Sequence, residues 1–191
     1  GTKFYRSTNT GDTWTQITTG VPVAATRMAI GVRASALSSV VYLVAGPSYS
    51  AGTFVGFYRS LDSGLSFGTQ SSTPNILGYS ATGADGEDQA TYDLCIAVPW
   101  WEDTPMIGAI NVWYSPTGGG TWTLLSMWNN PPGPDYTHAD IHALEINPLN
   151  NYVYCGSDGG FFRSVDFGNN WTDLSDGLAI TQYYCIAGYE P

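Results

Sequence analysis

The chain has 191 residues, of which 43% are hydrophobic and 12% are charged, and its formal net charge is −10. This length and apolar content allow one domain with a sizeable core and exclude a disordered chain. Nucleic acid and anionic membrane surfaces are not expected partners, because phosphate binding needs clustered cations and the chain has only 6 Lys and Arg residues. No apolar run reaches the roughly 20 residues that span a bilayer, so membrane insertion is not expected.

Short apolar segments separated by turn residues predict β-strands along the whole chain. Residues 1–18 are predicted to be the outer half of a four-stranded unit, and 180–191 the inner strand of a further one. Three complete units lie between them, at 26–70, 92–125 and 138–174. Their predicted strands are 26–33, 39–45, 53–60 and 66–70; 92–98, 106–110, 111–115 and 121–125; and 138–146, 151–155, 160–164 and 170–174.

One motif recurs four times, as FYRSTNTGDTW (4–14), FYRSLDSGLSF (57–67), VWYSPTGGGTW (112–122) and FFRSVDFGNNW (161–171). Each copy has a serine, a polar residue two positions later, a glycine four positions later and an aromatic residue seven positions later. The motif residues are Ser7, Asn9, Gly11 and Trp14; Ser60, Asp62, Gly64 and Phe67; Ser115, Thr117, Gly119 and Trp122; and Ser164, Asp166, Gly168 and Trp171. A repeat of about 50 residues with several short strands per unit is typical of β-propeller blades.

The motif is suited to a hairpin turn. The carboxylate of Asp62 or Asp166 can accept hydrogen bonds from amides of the turn, and the glycine supplies a position with positive φ. The aromatic residue is expected to be buried and to anchor the returning strand. Asn9 replaces the aspartate conservatively and Thr117 does so more weakly. The sequence therefore predicts a structural role for all four motifs.

These repeats resemble the Asp-box, or BNR repeat, of sialidases, sortilin-type receptors and xyloglucanase-type glycoside hydrolases. Residues 90–191 also resemble secreted proteins of Bacteroidetes-type bacteria, in which such a propeller is often followed by a type IX secretion sorting domain. The resemblance implies an all-β propeller that is exported to the cell surface or the medium. The incomplete units at the two ends indicate either a four-bladed ring closed by pairing of its ends or, as we favour, a fragment of a larger propeller whose remaining blades or domains belong to the same longer chain. The resemblance does not fix a catalytic activity.

Both histidines of the chain lie in the segment YTHADIHALE, residues 136–145. If residues 138–146 form one strand, His138, Asp140 and His142 share one face, at the end of the propeller opposite the motif turns, and His142 is the deeper and more buried histidine. Three interpretations remain open, namely a polar strand end, a ligand-binding or catalytic cluster, and a metal site. The two histidines would be about 13 Å apart on an extended strand, so no metal and no cofactor is expected.

The same end of the propeller collects further polar and aromatic candidates. The candidate catalytic residues are Asp93, Asp140 and Asp158, and the candidate ligand-binding residues are His138, Asp140, Asp158, Trp128, Tyr136 and Tyr183. This set predicts a module that binds carbohydrate or protein ligands at the cell surface. The alternative is a glycoside hydrolase of xyloglucanase-like type, which needs two carboxyl groups flanking the bond that is cleaved.

Three cysteines, Cys95, Cys155 and Cys185, lie in apolar, strand-like runs. Free cysteine is among the most buried residue types, so buried thiols are expected. A pair between Cys155 and Cys185 remains open.

Overall fold

The computed structural model describes residues 2–47, 54–133 and 135–179, and these ranges form strands and loops without a helix. The strands are β1 (Phe4–Arg6), β2 (Thr15–Ile17), β3 (Arg27–Arg33), β4 (Val40–Gly46), β5 (Gly56–Ser60), β6 (Gly68–Ser71), β7 (Cys95–Ala97), β8 (Met106–Gly108), β9 (Val112–Tyr114), β10 (Thr123–Ser126), β11 (Ile141–Ile146), β12 (Val153–Ser157), β13 (Gly160–Ser164) and β14 (Thr172–Asp173). The prediction of an all-β chain is confirmed. No described segment forms a long apolar helix of the kind that crosses a membrane.

The strands form four antiparallel sheets in which neighbours along the chain are also neighbours in space. The first sheet has two strands, β1 and β2, and the second, third and fourth sheets are four-stranded meanders, β3–β6, β7–β10 and β11–β14. Strands β3 and β4 pair over seven residues, from Arg27 opposite Gly46 to Arg33 opposite Val40. The strand predicted within 180–191 lies outside the described residues.

Strand β4 is buried along its whole length because sheets cover both of its faces. Val41 and Leu43 pack with Phe4 of the first sheet. Tyr42 and Val44, which point the other way, share a cluster with residues of the third sheet. The continuous apolar run of this strand therefore follows from a position between two neighbouring sheets.

The third and fourth sheets share a core of their own, which contains Val112, Ile141, Cys155 and Phe162. Cys155 is fully buried there, and it and Cys95 are free thiols. Burial raises the pKa of the Cys95 thiol to about 12 and raises the pKa of the Cys155 thiol as well. Cys185 and its proposed pairing lie outside the described residues.

The four motifs form hairpin turns with the same internal hydrogen bonds. In each turn the serine Oγ accepts a bond from the glycine amide four residues later, at 2.7–2.9 Å. The side chain two residues after the serine accepts a bond from another amide, at 2.8–3.0 Å. The residue before each glycine also has positive φ, which the motif did not predict; these residues are Thr10, Ser63, Gly118 and Phe167.

The aromatic residues that close the motifs differ in their burial. Phe67 packs edge-on against Phe4 of the preceding sheet, and Trp122 packs against Phe57, each with ring centroids 5.0 Å apart. Trp14 is instead 59% exposed, and Trp122 and Trp171 are half-buried, so the expectation that the closing aromatic is buried holds fully only for Phe67. Trp14 is exposed because no described sheet packs against the outer face of the first sheet.

Candidate functional site

Three long or polar connections meet at the end of the molecule opposite the motif turns, which we call the upper end. They are the loop from β6 to β7, the loop from β10 to β11, and the tight turn from β12 to β13. Strands β7 and β11 both begin at this end and lie beside each other. Their first residues therefore bring side chains from two different sheets together.

The segment around the two histidines is not one regular strand. Strand β11 begins only at Ile141, and Asp140 just before it has a φ of +63°. The pairing with β12 also shifts between Ile141 and Ala143, which makes His142 a bulged residue. The predicted alternation of His138, Asp140 and His142 on one face is therefore wrong. The side chain of His142 is 40% exposed, so the expectation that it is the deeper, more buried histidine is wrong too.

The bulge directs His142 towards the β12–β13 turn. Its Nε2 lies 2.7 Å from Oδ1 of Asp158, and the hydroxyl of Tyr92 donates to Oδ2 of Asp158 at 2.8 Å. The rings of Tyr92 and His142 meet edge-on with centroids 5.0 Å apart. His138 packs over the backbone of Gly159 in the same turn, where even a methyl group would overlap its ring. These contacts join the β7, β11 and β12 segments into one polar surface.

Asp93, at the start of the β7 segment, is a fully buried carboxyl group. Its two oxygens form no hydrogen bond of normal geometry, which is rare for buried polar atoms. Burial is the main cause that raises the pKa of the Asp93 carboxyl group to about 8, and the nearby charge of Asp140 is the second. Asp93 is therefore largely protonated at neutral pH.

An open pocket of about 250 Å³ adjoins this acidic group. Its lining residues are Tyr79, Gln89, Ile110, Trp128, Ala139 and Asp140. Tyr79 and Trp128 are 47% and 41% exposed, and the Trp128 indole donates to the carbonyl of Tyr79 at 3.3 Å. Gln89 donates to Asp140 Oδ1 at 3.4 Å. Two aromatic side chains thus stand beside a carboxylate and an amide.

One buried side chain fixes the two loops that carry the aromatic residues. Asn111 is fully buried, and its Nδ2 donates to the carbonyl of Gly78 at 3.2 Å. Its Oδ1 accepts from the backbone amide of Trp128 at 3.0 Å. Asn111 therefore holds Tyr79 and Trp128 at the two sides of the pocket. The sequence signal for this residue was a single amide inside the apolar run AINVWY.

The structure separates the other candidates that the sequence suggested. Trp128, Asp140 and Asp158 lie at the upper end, as does His138. Tyr136 does not line the pocket, because it packs on Phe162 in the core between the third and fourth sheets, with ring centroids 6.0 Å apart. Tyr183 lies outside the described residues. The roles of all these residues stay predictions.

Three polar or aromatic residues of the pocket and the cluster, Tyr79, Gln89 and Tyr92, were not among the sequence candidates. All three belong to the long β6–β7 connection and its end, and a connection of this length is typical of a functional surface loop. Within the described ranges, no group of three or more His, Cys, Asp and Glu side chains is arranged to hold a metal ion.

No protein-family model matches the chain, and no curated protein matches it. The function is therefore inferred from the geometry of the upper end.

Proposed function

We propose that the chain is part of an Asp-box β-propeller that binds carbohydrate at its upper end. The arrangement of neighbouring sheets supports the propeller. Strand β3 lies beside β7, and β7 beside β11, so the first strands of three successive sheets adjoin one another. In a propeller these first strands line the central channel. Export to the cell surface or the medium, which the Asp-box resemblance implies, belongs to the same proposal.

The motif turns also support a ring of equivalent sheets. Gly64 faces Phe4 of the preceding sheet, Gly119 faces Phe57 and Gly168 faces Leu125, each so closely that a larger residue would press on its neighbour. Gly11 and Trp14 present the same surface without a neighbouring sheet among the described residues. At the other side, Phe161 occupies the motif position of Phe4 and Phe57 and is 36% exposed. These two complementary faces fit further sheets of the same design, which we assign to remaining blades.

The observation that carries the binding proposal is the pocket between Tyr79 and Trp128. Exposed aromatic faces stack on the C–H faces of sugar rings, while Gln89 and Asp140 can exchange hydrogen bonds with sugar hydroxyls. The pocket is smaller than the range of about 300–1,000 Å³ that suits drug-sized ligands. We therefore favour one sugar unit of a glycan over a protein surface, which would need a broader apolar patch.

A glycan array tests this proposal with three forms of the protein: wild type, Trp128→Ala and Trp100→Ala. Trp100 is a matched control, since it is 62% exposed and contacts Trp101 away from the pocket. We expect wild type and Trp100→Ala to bind the same glycans, and Trp128→Ala to lose at least tenfold in affinity. Equal binding by all three forms, or no binding by wild type, would contradict the proposal.

The second candidate function, glycoside hydrolysis, is favoured by Asp93. A protonated Asp93 beside Asp140 has the properties of a general acid next to a second carboxyl group. Since Asp93 is fully buried, a sugar in the open pocket does not reach it directly, and we place hydrolysis second. Release of reducing sugar from a bound glycan by wild type, lost in Asp93→Asn, would favour the hydrolase. Binding without any release would favour the binding module.

A further inference from the structure

The charged groups around the pocket are almost all negative. Asp140 lines it, and the charges of Asp140 and Asp158 both act on the buried, protonated Asp93. None of the six lining residues that the structure describes is Lys or Arg. Two histidines are the potential cations of this cluster: Nδ1 of His138 lies 3.0 Å from the carbonyl oxygen of Ala139, and His142 is paired with Asp158. A ligand in this pocket therefore meets a negative potential.

The arginines of the described chain are engaged with other partners. Arg33 and Arg59 both pair with Asp103. Arg27 donates to the carbonyl of Thr91 at 3.0 Å. Arg6 donates to the carbonyl of Ser63, and Arg163 lies over the ring of Tyr152. None of these groups offers the paired guanidinium contact that an acidic sugar would need.

The aromatic walls of the site also fit a positively charged ligand. The faces of Trp128 and Tyr79 attract a cation placed near them, which adds to the attraction of the Asp140 carboxylate.

We propose that the pocket selects sugars that carry a protonated amine, in particular unacetylated glucosamine units, over neutral and acidic sugars. The aromatic walls would hold the ring and Asp140 would bind the ammonium group. This proposal rests on the carbohydrate-binding function proposed above and specifies its ligand class.

Isothermal titration calorimetry at pH 6 and low salt tests the selectivity with four tetrasaccharides, built from glucosamine, N-acetylglucosamine, glucose and galacturonic acid. We expect the glucosamine tetramer to bind at least tenfold more tightly than the two neutral tetramers, and the galacturonic acid tetramer to bind most weakly. Raising the salt to 0.5 M should reduce the preference, because it screens the carboxylates.

Asp140→Asn is the decisive variant. Asparagine tolerates the positive φ of this position, so the loop can keep its shape while the charge is removed. The preference for glucosamine should fall below threefold in this variant. It should persist in the control Asp12→Asn, which changes an exposed carboxyl group in the first motif turn.

Equal affinity for glucosamine and its neutral counterparts, or an unchanged preference in Asp140→Asn, would overturn the charge selectivity and leave carbohydrate binding intact. Binding of other glycans on the array without any binding of the glucosamine tetramer would also overturn the charge selectivity and leave carbohydrate binding intact. Failure of every glycan on the array to bind would instead reject the proposed function itself.

Discussion

Replacing Asp93 by asparagine should remove a pH dependence of stability that this buried carboxyl group imposes. Its pKa is raised from 3.8 to about 8, so the folded state holds a proton that the unfolded chain releases at lower pH. The resulting stabilisation is complete below about pH 4, is lost progressively as the pH rises towards 8, and is absent above. Four pKa units correspond to about 6 kcal/mol. Local relaxation and entry of water reduce this energy, and we expect the stability of the folded state to fall by on the order of 3 kcal/mol as the pH rises.

Urea denaturation of wild type, Asp93→Asn and the control Asp12→Asn between pH 4.5 and 8.5 measures this effect. Asp140, Asp158 and His142 also face this region, but they are present in all three proteins, so the difference from wild type isolates residue 93. As the pH rises across this range, the free energy of unfolding of Asp93→Asn should increase by about 3 kcal/mol relative to that of wild type. A difference that stays constant within about 0.5 kcal/mol would refute the assignment of a protonated, buried Asp93.

Three further predictions follow from the motif turns and the pocket. Trp122→Ala should lower the free energy of unfolding by about 3 kcal/mol, because it leaves a cavity where the indole packs on the second sheet. Trp14→Ala should lower it by under about 1 kcal/mol in the same denaturant titration. Asp62→Ala should cost about 1–2 kcal/mol at pH 7. Hydrogen bonds from Ser60 and Ser66 lower the pKa of Asp62, so this stabilisation should disappear as the pH falls through that lowered value, and a cost unchanged at pH 2 would contradict the turn geometry. Asn111→Asp should weaken glycan binding about tenfold by calorimetry, because it keeps the acceptor for Trp128 and loses the donor to Gly78; full affinity in a folded variant would rule out its positioning role.

The strands and motif turns could be predicted because their signals are local. The hydrogen bonds of a motif run between residues two to four positions apart, so Ser60, Asp62 and Gly64 carry the turn within themselves. The apolar run Val40–Gly46 likewise marks a strand covered on both faces. The exposure of Trp14 could not be predicted in the same way, because it depends on which sheet lies beside the first one.

The site was harder to predict because it depends on contacts between distant loops. The positive φ of Asp140 and the bulge at His142 break a period of two that the sequence displays from His138 to Ala143. The burial of Asp93 depends on how the third and fourth sheets meet. Asn111 bonds with Gly78, 33 positions away, and no local pattern reveals such a contact.

The most direct test of carbohydrate binding at the upper end is to follow the tryptophan indole signals by ¹H–¹⁵N NMR during titration with the tightest glycan from the array. The chain has 7 tryptophans, and Trp128→Phe and Trp100→Phe assign the two signals of interest. We predict that the Trp128 signal shifts and saturates with the glycan concentration while the Trp100 signal stays in place. An unmoved Trp128 signal, or a saturating shift confined to Trp100, would contradict the assignment of the pocket as the binding site.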